Sequence, residues 1–183
     1  MGTRNLTAVI LGGKHVVAQY GQWDGYPEGN GVKVLNFIRE NDMNGFAEKC
    51  KKLHFATDEE LDGKTLDDYP HMSRDHGAGI LELIMKNDID ILQDSMSFGA
   101  DSLFCEWAYV LDLDNRKLEC YEGFNRNKVP DTNRFSVFKK DDESGYEHVE
   151  LKHVFDFDNL PTDEDFVRLI SPDDDDDGSD DNE

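Results

Sequence analysis

Residues 6–20 read LTAVILGGKHVVAQY, and this stretch decides the fold of the N-terminal part of the chain. Its two halves, Leu6 to Leu11 and His15 to Tyr20, are rich in valine and other residues that favour strands. Between them, Gly12-Gly13 is a two-residue turn signal. The stretch therefore predicts a β-hairpin.

The rest of the chain extends this hairpin into an α+β pattern. Strand-like runs predict a second hairpin from Leu103–Leu113 and Lys117–Phe124, and further strands at Arg134–Lys139 and Val149–Phe157. Helical spacing or capping residues predict helices at 32–41, 43–53, 79–87 and 162–170, with a short helical turn at 57–61. Because strands lie at both ends with helices between them, we expect an α+β fold with a mainly antiparallel sheet, two hairpins and three to four helices.

The chain has 183 residues and a formal net charge of −22. This length suits one domain, which we place at residues 1–170. From 171 to 183 the sequence SPDDDDDGSDDNE has eight acids, no bases and no apolar side chain. Such a composition predicts a disordered tail, which serves either solubility or competition for a basic partner surface.

The charge is unevenly distributed. Residues 55–170 carry −16 and the tail −8, whereas residues 1–54 carry +2. The overall charge repels phosphate backbones and anionic lipid, so we expect neither direct nucleic-acid binding nor membrane binding. The chain has no long apolar run and no signal-peptide pattern at its start, which predicts a cytoplasmic protein. Only the first third is expected to attract a small anion.

The most distinctive segment is GQWDGYPEGNG at 21–31, between the first hairpin and the first helix. Its two aromatic side chains offer flat faces for stacking, and two of its glycines precede a helix whose first N–H groups can bind a phosphate or carboxylate. We predict a site for a small anionic, nucleotide-like ligand. Its residues are Arg4, Trp23, Asp24, Tyr26, Gly29, Gly31 and Lys33. A rigid structural loop and a partner interface are the alternatives.

A weaker candidate is a metal site formed by His71, Asp75 and His76. Two imidazoles and a carboxylate suit Zn²⁺, but the sequence fixes no further ligand. A polar loop before the helix at 79–87 explains these residues better. The three cysteines form no CxxC pair, and the phosphate-loop pattern is missing, so we expect reduced thiols and no cofactor.

Thr3-Arg4-Asn5, the loop Gln22 to Gly31 and the stretch Glu106 to Asp114 resemble a family of small phage and bacterial proteins. These open with Thr-Arg-Asn or Thr-Arg-Ser and carry a loop like Trp-Asp-Gly-Tyr-Pro-x-Gly-x-Gly. The resemblance spans residues 3–125 and brings no established reaction with it. It implies a non-enzymatic inhibitor or sequestering protein in the host cytoplasm that acts on host immunity. The expected partner is a nucleotide-like signal or a basic host defence protein.

Two other functions remain open at this point. The N-terminus also resembles that of N-terminal-nucleophile hydrolases, with Thr3, Asp24 and Lys33 in the catalytic roles. Thr3 would then need a free amine, which requires removal of Met1 and Gly2. The other alternative is an acidic mimic of nucleic acid, formed by residues 55–170 and the tail.

Overall fold

The computed structural model describes residues 2–171 and is built around a five-stranded sheet. The strands of this sheet are β1 (Asn5–Leu11), β2 (Lys14–Gly21), β5 (Trp107–Asp112), β6 (Lys117–Glu122) and β7 (Glu150–Asp156). Their order across the sheet is β2-β1-β5-β6-β7. All neighbours are antiparallel except β1 and β5, which run parallel. The predicted α+β fold and both hairpins are confirmed.

The helices lie between the two hairpins and at the end of the described chain. They are α1 (Val32–Glu40), α2 (Met43–Cys50), α3 (Asp58–Leu61), α4 (Ile80–Lys86) and α5 (Asp163–Ile170). A second, two-stranded parallel sheet joins β3 (His54–Phe55) to β4 (Ile91–Leu92). The predicted helix at 43–53 begins as expected, where the Asp42 side chain accepts from the N–H groups of Asn44 and Gly45, and it ends at Cys50.

The two faces of the large sheet are covered differently. Helices α1, α2, α4 and α5 bury the larger core, which contains Leu35, Phe37, Phe46, Leu81, Tyr109, Leu111 and Phe166. On the other face a smaller core of Leu6, Ile10, Val110, Tyr121, Phe135 and Val149 is covered by turns from 95–106 and 124–149. Within residues 2–171, the only regular element of this second layer is a short 3₁₀ helix, Met96–Ala100.

The tips of the two hairpins are tied together. Gly12 and Gly13 have φ angles of 64° and 76°, which two-residue hairpin turns of this hand require and glycine adopts at little cost. Their N–H groups each donate to the Asp114 carboxylate, at 2.8 Å. These backbone bonds lower the pKa of Asp114, so it remains an anionic acceptor.

The prediction of a strand at Arg134–Lys139 is wrong. This segment forms successive turns in which Asn133 Oδ1 accepts from the N–H of Phe135, at 2.9 Å. Ser136 Oγ donates to the Asn133 carbonyl, at 2.7 Å. These local bonds satisfy backbone groups that a strand would pair with a neighbour, and alternation of apolar residues does not reveal them. The last predicted strand, Val149–Phe157, is confirmed as β7.

The predicted acidic tail lies outside the described residues apart from Ser171. Within residues 2–171, no helix is both long enough and apolar enough to cross a membrane.

Candidate functional site

The 21–31 loop is held in place by two buried asparagines. The Asn5 amide Nδ2 lies 3.1 Å from the Thr3 and Trp23 carbonyls and 3.3 Å from that of Gly21. The Asn30 amide donates to the Trp23 carbonyl at 2.7 Å and to the Asp24 carbonyl at 3.0 Å. Asn30 Oδ1 in turn accepts the N–H of Ala78, at 2.9 Å. The loop is thereby fixed to the start of β1 and to the segment before α4.

The centre of the loop is also closely packed. The buried Tyr109 hydroxyl donates to the Gly25 carbonyl at 2.7 Å, and the Gly25 N–H donates to the Thr3 carbonyl at 3.0 Å. A Cβ on Gly25 would lie 2.6 Å from the Thr3 oxygen, so only glycine fits. Asp24, at φ 54°, adopts the left-handed conformation that aspartate tolerates better than most residues. The loop is therefore preorganised.

This fixed backbone presents two exposed aromatic side chains. Trp23 is 45% exposed and Tyr26 is 41% exposed. The Trp23 indole N–H donates to Asp75 Oδ1 at 2.9 Å, and the Tyr26 hydroxyl donates to Asp24 Oδ1 at 3.2 Å. The Asp24 carboxylate raises the pKa of Tyr26, because a phenolate beside it would be repelled. Tyr26 therefore stays a neutral donor.

Gly29 and Gly31 serve packing in this structure. A π-helical turn, Pro27–Gly31, leads directly into α1. Within it the N–H of Gly29 donates to the Tyr26 carbonyl at 2.9 Å, and the N–H of Val32 bonds back to carbonyls of the same turn. Gly31 packs against the rings of Tyr109 and Phe166. These N–H groups already have acceptors, so the open helix start predicted for an anion is not present.

The four exposed Phe, Tyr and Trp side chains of residues 2–171 lie at one end of the large sheet. The start of β1 pairs with the end of β2, the start of β5 pairs with the start of β1, and the end of β6 pairs with the start of β5. The loops that leave these four strand ends contain Trp23, Tyr26, Phe104 and Phe124. We call this region, formed by residues 2–4, 22–28, 101–106 and 122–126, the aromatic end.

Contacts run continuously across the aromatic end. Gly2 packs against the Trp23 ring. Two residues further, the Arg4 guanidinium stacks on Phe104, 4.9 Å from the ring centroid. The Phe124 N–H donates to the Ser102 carbonyl at 2.6 Å, which joins the third loop to the second. Arg4 Nε is buried and has no acceptor among residues 2–171. These contacts join all four segments of the aromatic end into one connected surface.

The aromatic end is acidic. Its residues include five carboxylates, Asp24, Glu28, Asp101, Glu106 and Glu122, against the two guanidiniums of Arg4 and Arg126. The formal balance is −3. One of the carboxylates also shapes the surface, because Glu106 Oε2 accepts the Arg4 backbone N–H at 2.9 Å. The 21–31 loop belongs to the N-terminal third of the sequence, which carries a small positive charge, yet in the folded structure it lies among acidic residues.

The other predicted residues are placed elsewhere. Lys33 is exposed on α1 and lines a cleft of about 430 Å³ between α1 and α4, together with Glu40 and Glu82. The side chains of Thr3, Asp24 and Lys33 form no hydrogen bond or ion pair with one another in residues 2–171. The structure therefore assembles no nucleophile, base and partner from the three residues of the hydrolase alternative.

The metal alternative is not supported by the side-chain contacts. His71 Nε2 bonds the Ile91 carbonyl at 2.6 Å, and His76 Nε2 bonds the Pro70 carbonyl at 2.8 Å. Asp75 instead accepts from Trp23. In the described part of the chain, no three His, Cys, Asp or Glu side chains are grouped as metal ligands. The segment 71–76 supports the aromatic loop, to which Gln22 N–H and Arg74 carbonyl also connect it at 3.0 Å.

Comparison with known proteins gives no assignment: no family model, no curated protein and no solved structure matches the chain.

Sequence reasoning missed Phe104 and Phe124 as surface residues. Both fall within runs predicted as strands, where an aromatic residue is ordinary. In the structure β5 begins only at Trp107 and β6 ends at Glu122, so both phenylalanines lie in the loops beyond. Asn30 was also missed, although an asparagine between two glycines is a signal for side-chain bonding to the loop backbone.

Proposed function

We propose that the protein is a non-enzymatic inhibitor or sequestering protein that binds a basic surface of a partner protein through its aromatic end. The observation that carries this proposal is the collection of all four exposed aromatic side chains of residues 2–171 at one sheet end. Single exposed apolar residues are normal, whereas a connected set on a preorganised backbone is typical of an interaction site.

The chemistry of this surface favours arginine- or lysine-rich partners. Trp and Tyr faces attract cations, and nearby carboxylates bind guanidinium groups in pairs of hydrogen bonds. The rigid loop limits the entropy lost on docking, so Trp23 and Tyr26 resemble the aromatic anchors that dominate protein interfaces. The surplus of carboxylates would steer a basic partner towards this end and repel phosphate-bearing ones. The family resemblance adds the expectation that the partner is a host defence protein.

The proposal can be tested with octa-arginine as a defined basic probe. Trp23→Ala and Phe104→Ala remove no charge, so general attraction to the acidic chain is unchanged. We expect each to weaken octa-arginine binding about tenfold or more, the loss typical of an interface anchor. Calorimetry measures the affinity, and circular dichroism checks that both variants remain folded. The matched control is Val137→Ala, an 81% exposed apolar residue outside the aromatic end.

Other outcomes separate the alternatives. Equal affinities for the wild type, Trp23→Ala and Val137→Ala would favour charge mimicry by the acidic body over docking at the aromatic end. Octa-lysine should bind more weakly than octa-arginine, because its ammonium groups neither stack nor bind carboxylates bidentately. Micromolar binding of a cyclic dinucleotide that is lost in Trp23→Ala would replace the protein partner with a nucleotide.

A further inference from the structure

Another cavity lies on the sheet face that carries the smaller core, and it shares only Asn125 with the aromatic end. It has a volume of about 450 Å³ and lies between β6, the start of β7 and the turns at 125–134. Residues 134–139 form turns instead of the predicted strand, and these turns bring Arg134 over β6. A cavity of this size suits a small molecule.

Arg134 is held rigidly at the edge of this cavity. Its Nε and Nη2 donate to the two oxygens of Glu119 at 2.6 and 2.8 Å, and Nη2 also donates to Asp112 Oδ2 at 2.6 Å. The Tyr121 hydroxyl adds a fourth bond, to Glu119 Oε1 at 2.6 Å. Asp112 is 3% exposed and Glu119 is 13% exposed, so the carboxylates are fixed as well.

The bonds to Glu119 and Asp112 leave one end of the Arg134 guanidinium free to donate to a ligand. Nη1 has no acceptor among residues 2–171, the Arg134 side chain is 28% exposed, and Arg134 is one of the residues that line the cavity. The pKa of Arg134 is raised, chiefly by its hydrogen bonds with Glu119, so the group remains a cation. Arg134 can therefore donate to an anionic group that enters the cavity.

The exposed charges around the cavity are not paired with each other. Lys128 and Glu150 both line it, and neither forms an ion pair within the described residues. Their charged atoms therefore lie more than 4.0 Å apart, the limit for an ion pair. A ligand of one sign would meet a like charge in this cavity. A ligand with both signs can pair its anionic group with Lys128 or Arg134 and its cationic group with Glu150, since all three residues line the cavity.

The remaining walls supply apolar contact. Val129, Pro130 and Leu151 line the cavity, and Leu151 is 44% exposed. We propose that this cavity binds a small zwitterion with an aliphatic body, of the amino-acid class. Its carboxylate contacts Lys128 and the free edge of Arg134, its ammonium contacts Glu150, and its aliphatic part lies on the apolar wall.

The test uses calorimetry with three zwitterionic probes: L-leucine, 6-aminohexanoate and leucyl-glycine. They carry the same two charges, whose separation increases from L-leucine through leucyl-glycine to 6-aminohexanoate, and the dipeptide distinguishes peptide ends from free amino acids. Binding of at least one probe at about 1 mM is expected. Isoamylamine and 4-methylpentanoate, which each keep one charge, should bind at least tenfold more weakly. If no zwitterion binds, or if either single-charge analogue binds equally well, the proposal is wrong.

Two exposed residues serve as variants, since removing Arg134 would strand two carboxylates and endanger folding. Lys128→Met and Glu150→Gln should each lower the affinity for the bound probe at least tenfold. Lys128→Arg, which keeps the charge, should retain most of the wild-type affinity. The matched controls are Lys139→Met and Glu143→Gln, exposed residues that do not line the cavity. Unchanged affinity in Lys128→Met and Glu150→Gln would overturn the assignment even if a probe binds.

Discussion

Asn30→Ala tests whether the aromatic loop is held by the buried hydrogen bonds that the structure shows. Asn30 is 4% exposed, and its amide makes three bonds, two as donor to the Trp23 and Asp24 carbonyls and one as acceptor from Ala78. Alanine favours the helical turn, so the substitution removes the bonds without adding backbone strain.

When these three bonds are lost, two of the partner groups keep another hydrogen bond and one does not. The Trp23 carbonyl still accepts from Asn5 at 3.1 Å, and the Asp24 carbonyl still accepts from the Asn30 backbone N–H at 2.7 Å. Ala78, which is buried, loses the acceptor for its N–H. At about 1 kcal/mol for each donor bond and 1–3 kcal/mol for the stranded N–H, the free energy of unfolding should fall by roughly 3–5 kcal/mol.

Urea denaturation followed by circular dichroism measures this change. For a chain of this size the corresponding fall in Tm is about 6–20 °C. The matched control is Asn36→Ala on α1, whose side chain only accepts a bond from exposed Arg39, and its effect should stay within about 0.5 kcal/mol. If Asn30→Ala lowers the free energy of unfolding by less than about 1 kcal/mol, and by no more than Asn36→Ala does, these bonds do not fix the loop.

Three further predictions follow from local geometry. Gly99→Ala should destabilise the protein by about 1–3 kcal/mol, because its new Cβ overlaps the Phe135 ring, whereas Gly79→Ala meets nothing within 4 Å and should be neutral or slightly stabilising in urea denaturation. The Glu60 carboxylate raises the pKa of His54 above its ordinary 6.5, and His54 in turn lowers the pKa of Glu60. The stabilising effect of the charged pair is therefore lost as the pH rises through the pKa of His54, and it is also lost as the pH falls through the pKa of Glu60. In an NMR titration, Glu60→Gln should return the pKa of His54 towards 6.5, and an unchanged value would contradict the pairing. Burial raises the pKa of all three cysteine thiols, so none should react with a thiol reagent until the chain is unfolded, and rapid reaction of any one would show that the core opens.

Much of the fold follows from local patterns in the sequence. The first hairpin could be predicted because Gly12-Gly13 separates two strand-like runs, and α5 because Thr162 caps a helix with acids in its first turn. The parallel pairing of β1 with β5 could not, since the two strands are about 100 residues apart and no local signal specifies which edges meet. The turns at 134–139 were missed because their stabilising bonds come from Asn133 and Ser136 side chains.

The candidate site divides in the same way. Trp23 and Tyr26 could be found because their loop is unusual in sequence, and both side chains are exposed in the structure. Lys33 lies apart on an exposed helix face, since the direction of a side chain in the first turn of α1 is set by the helix rather than by the loop. Phe104 and Phe124 join the surface only through strand pairing. The acidic surroundings likewise arise from loops distant in sequence, so a charge count over residues 1–54 misjudges them.

The most direct test of the aromatic end is to map octa-arginine binding by NMR chemical shifts on the full-length protein. The largest shifts are expected at the Trp23 indole N–H and at the amides of Gly25, Phe104 and Phe124. Shifts elsewhere on the acidic surface, such as residues 58–62 and 141–143, should be small and should vanish first as salt is added. If the largest shifts lie in those acidic segments and the aromatic end is unaffected, the proposed docking surface is wrong.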